Sequence, residues 1–130
     1  MRLVGLVSVM ILGLSGCASL SRETIIEESV WQAENVVDFM QTTQISRQPA
    51  RYDEIGTMSP FTGPHPSEGQ VVLFSALFGG LHFAATDLIA EHLDSVSPWF
   101  VRSWEAGSLC FKTRVILHNH EIGLNYTTHF

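Results

Sequence analysis

The chain is poor in cysteine and in basic residues. Cysteine occurs only at Cys17 and Cys110, which excludes a zinc site built from paired Cys-x-x-Cys motifs. Seven Lys and Arg residues stand against 13 Asp and Glu, a formal net charge of −6. Because an acidic surface repels phosphate groups and no basic stripe is present, we expect no nucleic-acid partner.

Motifs of catalysis and of cofactor binding are missing as well. The sequence has no Gly-x-Ser-x-Gly, no His-Glu-x-x-His and no phosphate-binding loop. His118 and His120 stand two residues apart, so in a helix they would face different sides. We therefore expect no cofactor, and a non-enzymatic protein is favoured over an enzyme.

The N-terminus carries a targeting signal. An apolar run, Leu3–Leu14, follows Arg2, and small residues precede Cys17, an arrangement typical of a secretory signal peptide. The run is too short to span a bilayer comfortably. Leu14-Ser15-Gly16-Cys17 resembles the lipobox of bacterial lipoproteins. The alternative is an uncleaved anchor over residues 1–20.

The lipobox resemblance implies a location. Residues 1–16 would be removed, and Cys17 would carry the lipid as the mature N-terminus. Ala18 stands where an aspartate would resemble an inner-membrane retention signal, which favours the outer membrane facing the periplasm. Several acyl chains give stable anchoring. The mature part, 17–130, is long enough for a single domain with a modest core.

The first helix signal covers about 22–47. It begins after Ser21, a good N-cap, and ends before Pro49. Apolar residues recur along it every three or four positions, which predicts an amphipathic helix with a buried apolar stripe: Ile26, Val30, Ala33, Val37 and Met40. Its acidic residues are expected on a solvated face. A long loop rich in Pro and Gly follows over 49–66.

Two further helices follow the loop. The second, about 68–93, opens with a capping box formed by Ser67 and Gln70. The third, about 98–121, has Pro98 at its first position. The fold class predicted from these signals is all-α, an antiparallel three-helix bundle with the long loop between the first two helices.

The second helix is almost continuously apolar from Val71 to Ala90. Such a helix is either central in its fold or embedded in a membrane, and twenty residues are long enough to span one. Small residues recur every four positions at Ala76, Gly80 and Ala84, which favours close approach of another helix. The flanking helices carry too many charges to be ordinary membrane spans.

The mature chain resembles a set of small uncharacterised helical proteins encoded by bacteria and their phages. The matching residues are Asp38-x-x-Gln41-Thr42-x-x-Ile45, Glu54, Ser59-Pro60-Phe61-Thr62-Gly63-x-His65-Pro66-Ser67, His82, Asn119 and Gly123. The resemblance implies a membrane-associated protein of about three helices with polar residues inside them. This chain departs from the pattern by its lipobox and by Met58-Ser59-Pro60, where an asparagine usually precedes the proline.

A candidate polar cluster follows from residue types and spacing. Its members are Asp38, Gln41, Glu54, His65, His82 and Asn119. His82 is an imidazole in the most apolar helix, and such a residue is usually hydrogen-bonded to a neighbouring helix. An Asp38–His82 hydrogen bond would satisfy both side chains. Coordination of a metal by part of the cluster stays open, because these spacings match no ligand motif.

Three functions are compatible with these features. The first is a lipid-anchored, non-enzymatic interaction or structural module that contacts an envelope protein or a second copy of itself. The second is a small integral membrane protein in which His82 and Asp38 handle ions or protons. The third is a metal-binding protein that uses loop acids and histidines.

Overall fold

The protein is helical over most of its length. The computed structural model describes residues 20–54, 58–93 and 97–124. They form four helices that pack together: α1 (Arg22–Arg47), α2 (Ser59–Thr62), α3 (Glu68–His92) and α4 (Trp99–Glu121). No strand occurs among these residues, so the all-α prediction is confirmed. The predicted signal peptide and Cys17 lie outside the described residues.

Side-chain caps fix the starts of the first and third helices. The Thr24 amide donates to Ser21 Oγ at 3.1 Å, which satisfies an otherwise free donor at the beginning of α1. At α3, the Gln70 amide donates to Ser67 Oγ at 3.3 Å. The Ser67 amide in turn donates to the Gln70 side chain at 2.8 Å, so the predicted capping box is confirmed.

The loop between α1 and α3 is less irregular than its composition suggests. Ser59–Thr62 forms the one-turn helix α2, which the sequence analysis treated as loop, because a proline in its first turn presets the backbone angle. Phe61 of α2 lies on α3, with its ring 5.7 Å from that of Phe74. The Glu54 amide donates to the Pro64 carbonyl at 2.8 Å, which draws the two halves of the loop together.

The cluster of buried apolar residues is small and lies at one end of the molecule. It consists of Ile45, Tyr52 and Leu124. Gly123 allows the chain to turn back after α4, with a backbone angle φ of 96° that residues other than glycine rarely adopt. Arg47 and Glu68 tie α1 to α3 nearby through an ion pair of 2.8 Å.

The apolar stripe of α1 faces outward. Ile26 and Val30 are 55% and 47% exposed, although their spacing predicted a buried position. The opposite side of the helix, which carries Glu28 and Asn35, is buried. The prediction of a solvated acidic face is therefore wrong at Glu28. The reason is that these polar side chains find hydrogen-bond partners on other helices, which offsets the loss of water.

The helix α3 shows the same reversal. Its buried positions are mainly small or polar: Val71, Ser75, Gly79, His82 and Thr86. Its exposed positions carry leucine and valine, together with the small residues Ala76, Gly80 and Ala84. Within the described chain the close helix approach is made at Gly79 and not along that stripe. A Cβ atom on Gly79 would lie 3.0 Å from Gln32 Oε1 of α1.

Candidate functional site

The interior of the helix assembly is lined by polar side chains at three levels. The Asn119 layer consists of Gln41 and Asn119. The Lys112 layer consists of Asp38 and Lys112. The His82 layer consists of Glu28, His82, Thr86 and Glu105.

The Asn119 layer joins α1 to α4. Asn119 Nδ2 donates to Gln41 Oε1 at 3.2 Å, and Gln41 Nε2 donates to the Ile116 carbonyl at 3.3 Å. Gln41 is fully buried. Two predicted cluster residues therefore meet, and their amides satisfy each other as buried polar groups require.

The Lys112 layer contains an ion pair shielded from solvent. Lys112 Nζ donates to Asp38 Oδ2 at 2.7 Å, and the two side chains are only 9% and 18% exposed. The ammonium also lies 5.2 Å from the centroid of the Trp31 ring, within the range of a cation–π contact. A small cavity beside the pair is lined by Asp38, Glu54 and Lys112 among others. The cavity thus brings together a residue of α1 (Asp38), a residue of α4 (Lys112) and a residue of the loop after α1 (Glu54).

His82 lies at the centre of its layer, with both ring nitrogens engaged. Nδ1 is 2.8 Å from Glu28 Oε2, and Nε2 is 2.9 Å from Ser108 Oγ. The hydrogen bond predicted between Asp38 and His82 is therefore wrong, because Asp38 pairs with Lys112 and the imidazole pairs with Glu28. The helical turns that separate Glu28 from Asp38 place the two carboxylates at different levels.

Two tryptophan rings enclose the His82 imidazole. Trp31 is stacked on it with ring centroids 3.7 Å apart and an interplanar angle of 8°. Trp104 lies on it at 5.0 Å and 25°. The imidazole is therefore stacked on both faces and hydrogen-bonded at both ring nitrogens.

Thr86 connects the two glutamates of the layer. Its hydroxyl lies 2.9 Å from Glu28 Oε2 and 2.8 Å from Glu105 Oε1. Trp104 Nε1 donates to the same hydroxyl at 2.9 Å. Glu105 is fully buried, and its other oxygen, Oε2, has no hydrogen-bond partner among the described residues.

A groove of about 330 Å³ gives the His82 layer a route to the surface. Trp31, His82 and Trp104 line it together with apolar residues of α3 and α4. Phe111, which is 54% exposed, and Leu81, which is 55% exposed, stand among them. The imidazole is therefore buried, but it borders an open apolar groove.

The structure does not gather all six residues of the predicted cluster. His65 lies on the surface, 3.5 Å from Asp53 and away from the interior layers. A metal set drawn from that cluster therefore does not form. The ligand atoms of Glu28, His82 and Glu105 do lie within 4.8 Å of one another, a spacing that a metal ion would accept. Glu28 and His82 are also hydrogen-bonded to each other, at 2.8 Å.

The sequence analysis does not predict Glu28, Glu105 and Lys112 as interior residues. A signal for them exists in the sequence as a second periodicity, in which polar residues and Trp31 recur every three or four positions. In α1 this stripe is Glu28, Trp31, Asn35, Asp38 and Thr42. In α4 it is Glu105, Ser108 and Lys112, and it continues through the apolar Ile116 to Asn119. The apolar periodicity of the same helices predicts a different buried face, because apolar residues usually face inward.

Length and composition alone make α3 a candidate membrane span, and it is the one such helix within the described ranges. Only 17% of its most apolar window is buried inside the protein. Comparisons with known proteins add no analogy: no protein-family model matches the chain, and neither the curated proteins nor the solved structures contain a match.

Proposed function

We propose that the protein is a small integral membrane protein of the cell envelope whose polar interior binds and transfers protons. The observation that carries this proposal is the reversed polarity of the helices, with ionisable side chains inside and large apolar side chains outside. In water this arrangement exposes apolar surface and buries charge, both of which are unfavourable. In a lipid bilayer the same arrangement is favourable, because the exterior contacts hydrocarbon.

The distribution of charge along the helices supports membrane embedding. Between Thr24 and Ser46 of α1, and between Gly69 and Ala90 of α3, no charged residue is classed as exposed. In α4 the same holds only from Ser103 to Thr113, between the exposed Arg102 and Arg114. Some of the charges that made the flanking helices poor candidates for spans therefore turn inward, and the carboxylates of Glu28 and Asp38 pair there with His82 and Lys112.

The proposed architecture is an antiparallel bundle of α1, α3 and α4. As residue numbers rise along α1, those of their partners on α3 fall. The pairs joined by hydrogen bonds are Glu28 with His82, Gln32 with Gly79, and Asn35 with Ser75. On α4 the partner numbers rise instead, from Asp38 with Lys112 to Gln41 with Asn119. This pattern supports α3 running opposite to α1 and α4.

The layered interior suggests proton handling. Ionisable residues within membrane segments commonly serve ion pathways and proton relays. From Glu28 to Gln41 the interior polar groups extend over 13 helical steps, about 20 Å at a rise of about 1.5 Å per residue. This is about two thirds of the thickness of a hydrocarbon core. We propose that protons pass between these layers.

Membrane embedding is tested with charged substitutions on the outer face of α3. Leu81→Lys places an ammonium at a site that is 55% exposed. In a soluble protein this surface change alters stability by about 0.5 kcal/mol or less. At the centre of a membrane span it costs about 3 kcal/mol. Leu93→Lys at the end of α3 is the matched control, since its side chain reaches the headgroup region.

The readout is membrane extraction by alkaline carbonate. Residues 1–19 are first replaced by a cleavable secretory signal that lacks a lipobox, so neither a lipid nor the leader holds the protein. We expect this variant and its Leu93→Lys form to stay in the membrane pellet, and the Leu81→Lys form to be depleted from it. Release of the parent variant into the soluble fraction would contradict the proposal.

Proton transfer is tested separately in vesicles. Purified protein is reconstituted with a trapped pH-sensitive dye, and an imposed pH gradient should collapse faster than in empty vesicles. Lys112→Met should slow this collapse, while Arg102→Met, which removes an exposed cation of α4, should not. A gradient that decays at the rate of empty vesicles would refute proton transfer and leave the membrane assignment standing.

A second candidate is the lipid-anchored interaction module of the outer membrane. The exposed aromatic residues at the start of α4 favour it, since Trp99 is 74% exposed and Phe100 is 48% exposed. An envelope partner would cover this apolar surface. The extraction experiment separates the two candidates, because such a module is released once its lipid is absent.

A further inference from the structure

We infer that Glu28, Thr86 and Glu105 form a proton-binding relay in which Glu105 is held as a neutral carboxylic acid and exchanges its proton with Glu28 through the Thr86 hydroxyl. The inference deepens the proposed function and rests on it only for the use of the proton. The site itself follows from counting hydrogens.

The Thr86 hydroxyl has three partners and one hydrogen. Trp104 Nε1 can only donate, so the hydroxyl oxygen accepts from it at 2.9 Å. The two remaining partners are carboxylate oxygens at 2.9 and 2.8 Å, on Glu28 and Glu105. Ionised carboxylates only accept. Thr86 can donate to one of them, so the other short contact needs a hydrogen on the carboxyl group itself.

The proton is assigned to Glu105 by its surroundings. Glu28 already has two further hydrogen-bond partners, His82 Nδ1 at 2.8 Å and Gln32 Nε2 at 2.6 Å. These contacts stabilise its ionised form. Glu105 has neither, is fully buried and leaves Oε2 without a partner among the described residues. Burial with only one hydrogen-bonded oxygen favours the neutral acid.

The charged groups around Glu105 support the same assignment. Those that interact with it are Glu28 and Glu27 on α1 and His82 on α3. Glu28 and Glu105 contact the same Thr86 hydroxyl, so an ionised Glu105 would place a second negative charge beside the Glu28 carboxylate, whereas the neutral acid does not.

The hydroxyl makes the proton mobile between the two glutamates. As the Glu105 O–H bond breaks, a new bond forms to Thr86 Oγ1, and the hydrogen that Thr86 carried moves to Glu28 Oε2. Glu105 becomes a carboxylate and Glu28 a neutral acid, so the number of protons is unchanged. Glu28 lies beside His82, and the imidazole borders the apolar groove. The relay therefore connects a carboxyl group of α4 to a carboxyl group of α1 through one hydroxyl of α3.

Infrared spectroscopy of the full-length protein tests the inference directly. A protonated carboxylic acid has a C=O band distinct from that of a carboxylate, and an exposed glutamate is ionised near neutral pH. We expect the wild type to show this band near neutral pH and Glu105→Gln to lose it. Glu121→Gln, which removes an exposed glutamate of the same helix, should keep it. Absence of the band from the wild type, or its persistence in Glu105→Gln, overturns the inference.

Thr86 variants test the relay without removing either acid. Thr86→Ser keeps a hydroxyl and should keep the band at its wild-type frequency. Thr86→Val has nearly the same shape but accepts no hydrogen bond, so the band should shift to the frequency of a free acid, and proton flux into vesicles should be lost. An unshifted band in Thr86→Val contradicts the relay. The infrared band does not depend on proton flux through the protein. A wild type that shows the band but no proton flux would therefore refute the proposed function and leave the proton site in place.

Discussion

The ion pair of the Lys112 layer offers the sharpest test of the polar interior. Lys112→Met retains a long apolar side chain but removes the ammonium that lies 2.7 Å from Asp38 Oδ2. Removing one partner of a buried pair costs about 3–5 kcal/mol, since the remaining charge is left without compensation. Because Asp38 is 18% exposed, we expect the lower end, about 3 kcal/mol.

The double variant should recover most of that loss. Asp38→Leu alone leaves the Lys112 ammonium unpaired and should lower the free energy of unfolding by a similar amount. Asp38→Leu combined with Lys112→Met leaves no unpaired charge. Replacing a whole buried pair by apolar residues is often neutral, so the double variant should lie within about 1 kcal/mol of the wild type. The coupling energy of the cycle should therefore exceed about 2 kcal/mol.

The assay is unfolding in mixed detergent micelles, followed by far-ultraviolet circular dichroism. Arg47 and Glu68 provide the control, because they form an ion pair of similar length, 2.8 Å, with side chains that are 36% and 49% exposed. The same cycle there should give a coupling of about 0–1 kcal/mol. Additive losses at Asp38 and Lys112, or equal coupling at the two pairs, would refute a shielded polar interior.

Three further predictions use matched variants and the same unfolding assay. Gly79→Ala should destabilise the protein, since a Cβ atom there would lie 3.0–3.2 Å from two amide side chains of α1, whereas Gly80→Ala, with open space around it, should stabilise by up to about 1 kcal/mol. Glu28→Gln should cost about 2 kcal/mol because it removes a carboxylate oxygen that pairs with buried His82 and Thr86, while Glu27→Gln one residue earlier should change little. Ser67→Ala should cost about 1 kcal/mol through loss of the capping box of α3.

The sequence is informative about where the helices begin and less so about how they face. Ser21 and Ser67 indicate where two helices begin, because a capping hydrogen bond joins residues only three positions apart in the chain. The rotation of a helix about its axis depends on what surrounds the protein. Apolar periodicity placed Ile26 inward on the assumption of water outside, and the structure places Glu28 inward instead.

The polar cluster could be predicted by residue type but not by partner. The sequence predicts both Gln41 and Asn119 as cluster residues, and their side chains are hydrogen-bonded at 3.2 Å. It predicts Asp38 as the partner of His82, but the partner is Glu28, which lies about three turns away from Asp38 on α1. Choosing between them requires the axial offset of α1 against α3. That offset is set by contacts across the helices, such as Gly79, and not by any local motif.

Trp31 lies where two layers meet. Its ring is stacked on the His82 imidazole at 3.7 Å, and the Lys112 ammonium lies 5.2 Å from its centroid. One aromatic ring therefore senses the charge of both the His82 layer and the Lys112 layer. Indole fluorescence responds to neighbouring charge, so the protein carries a built-in optical reporter of protonation at its centre. A change in charge at either layer would therefore alter the surroundings of the same ring.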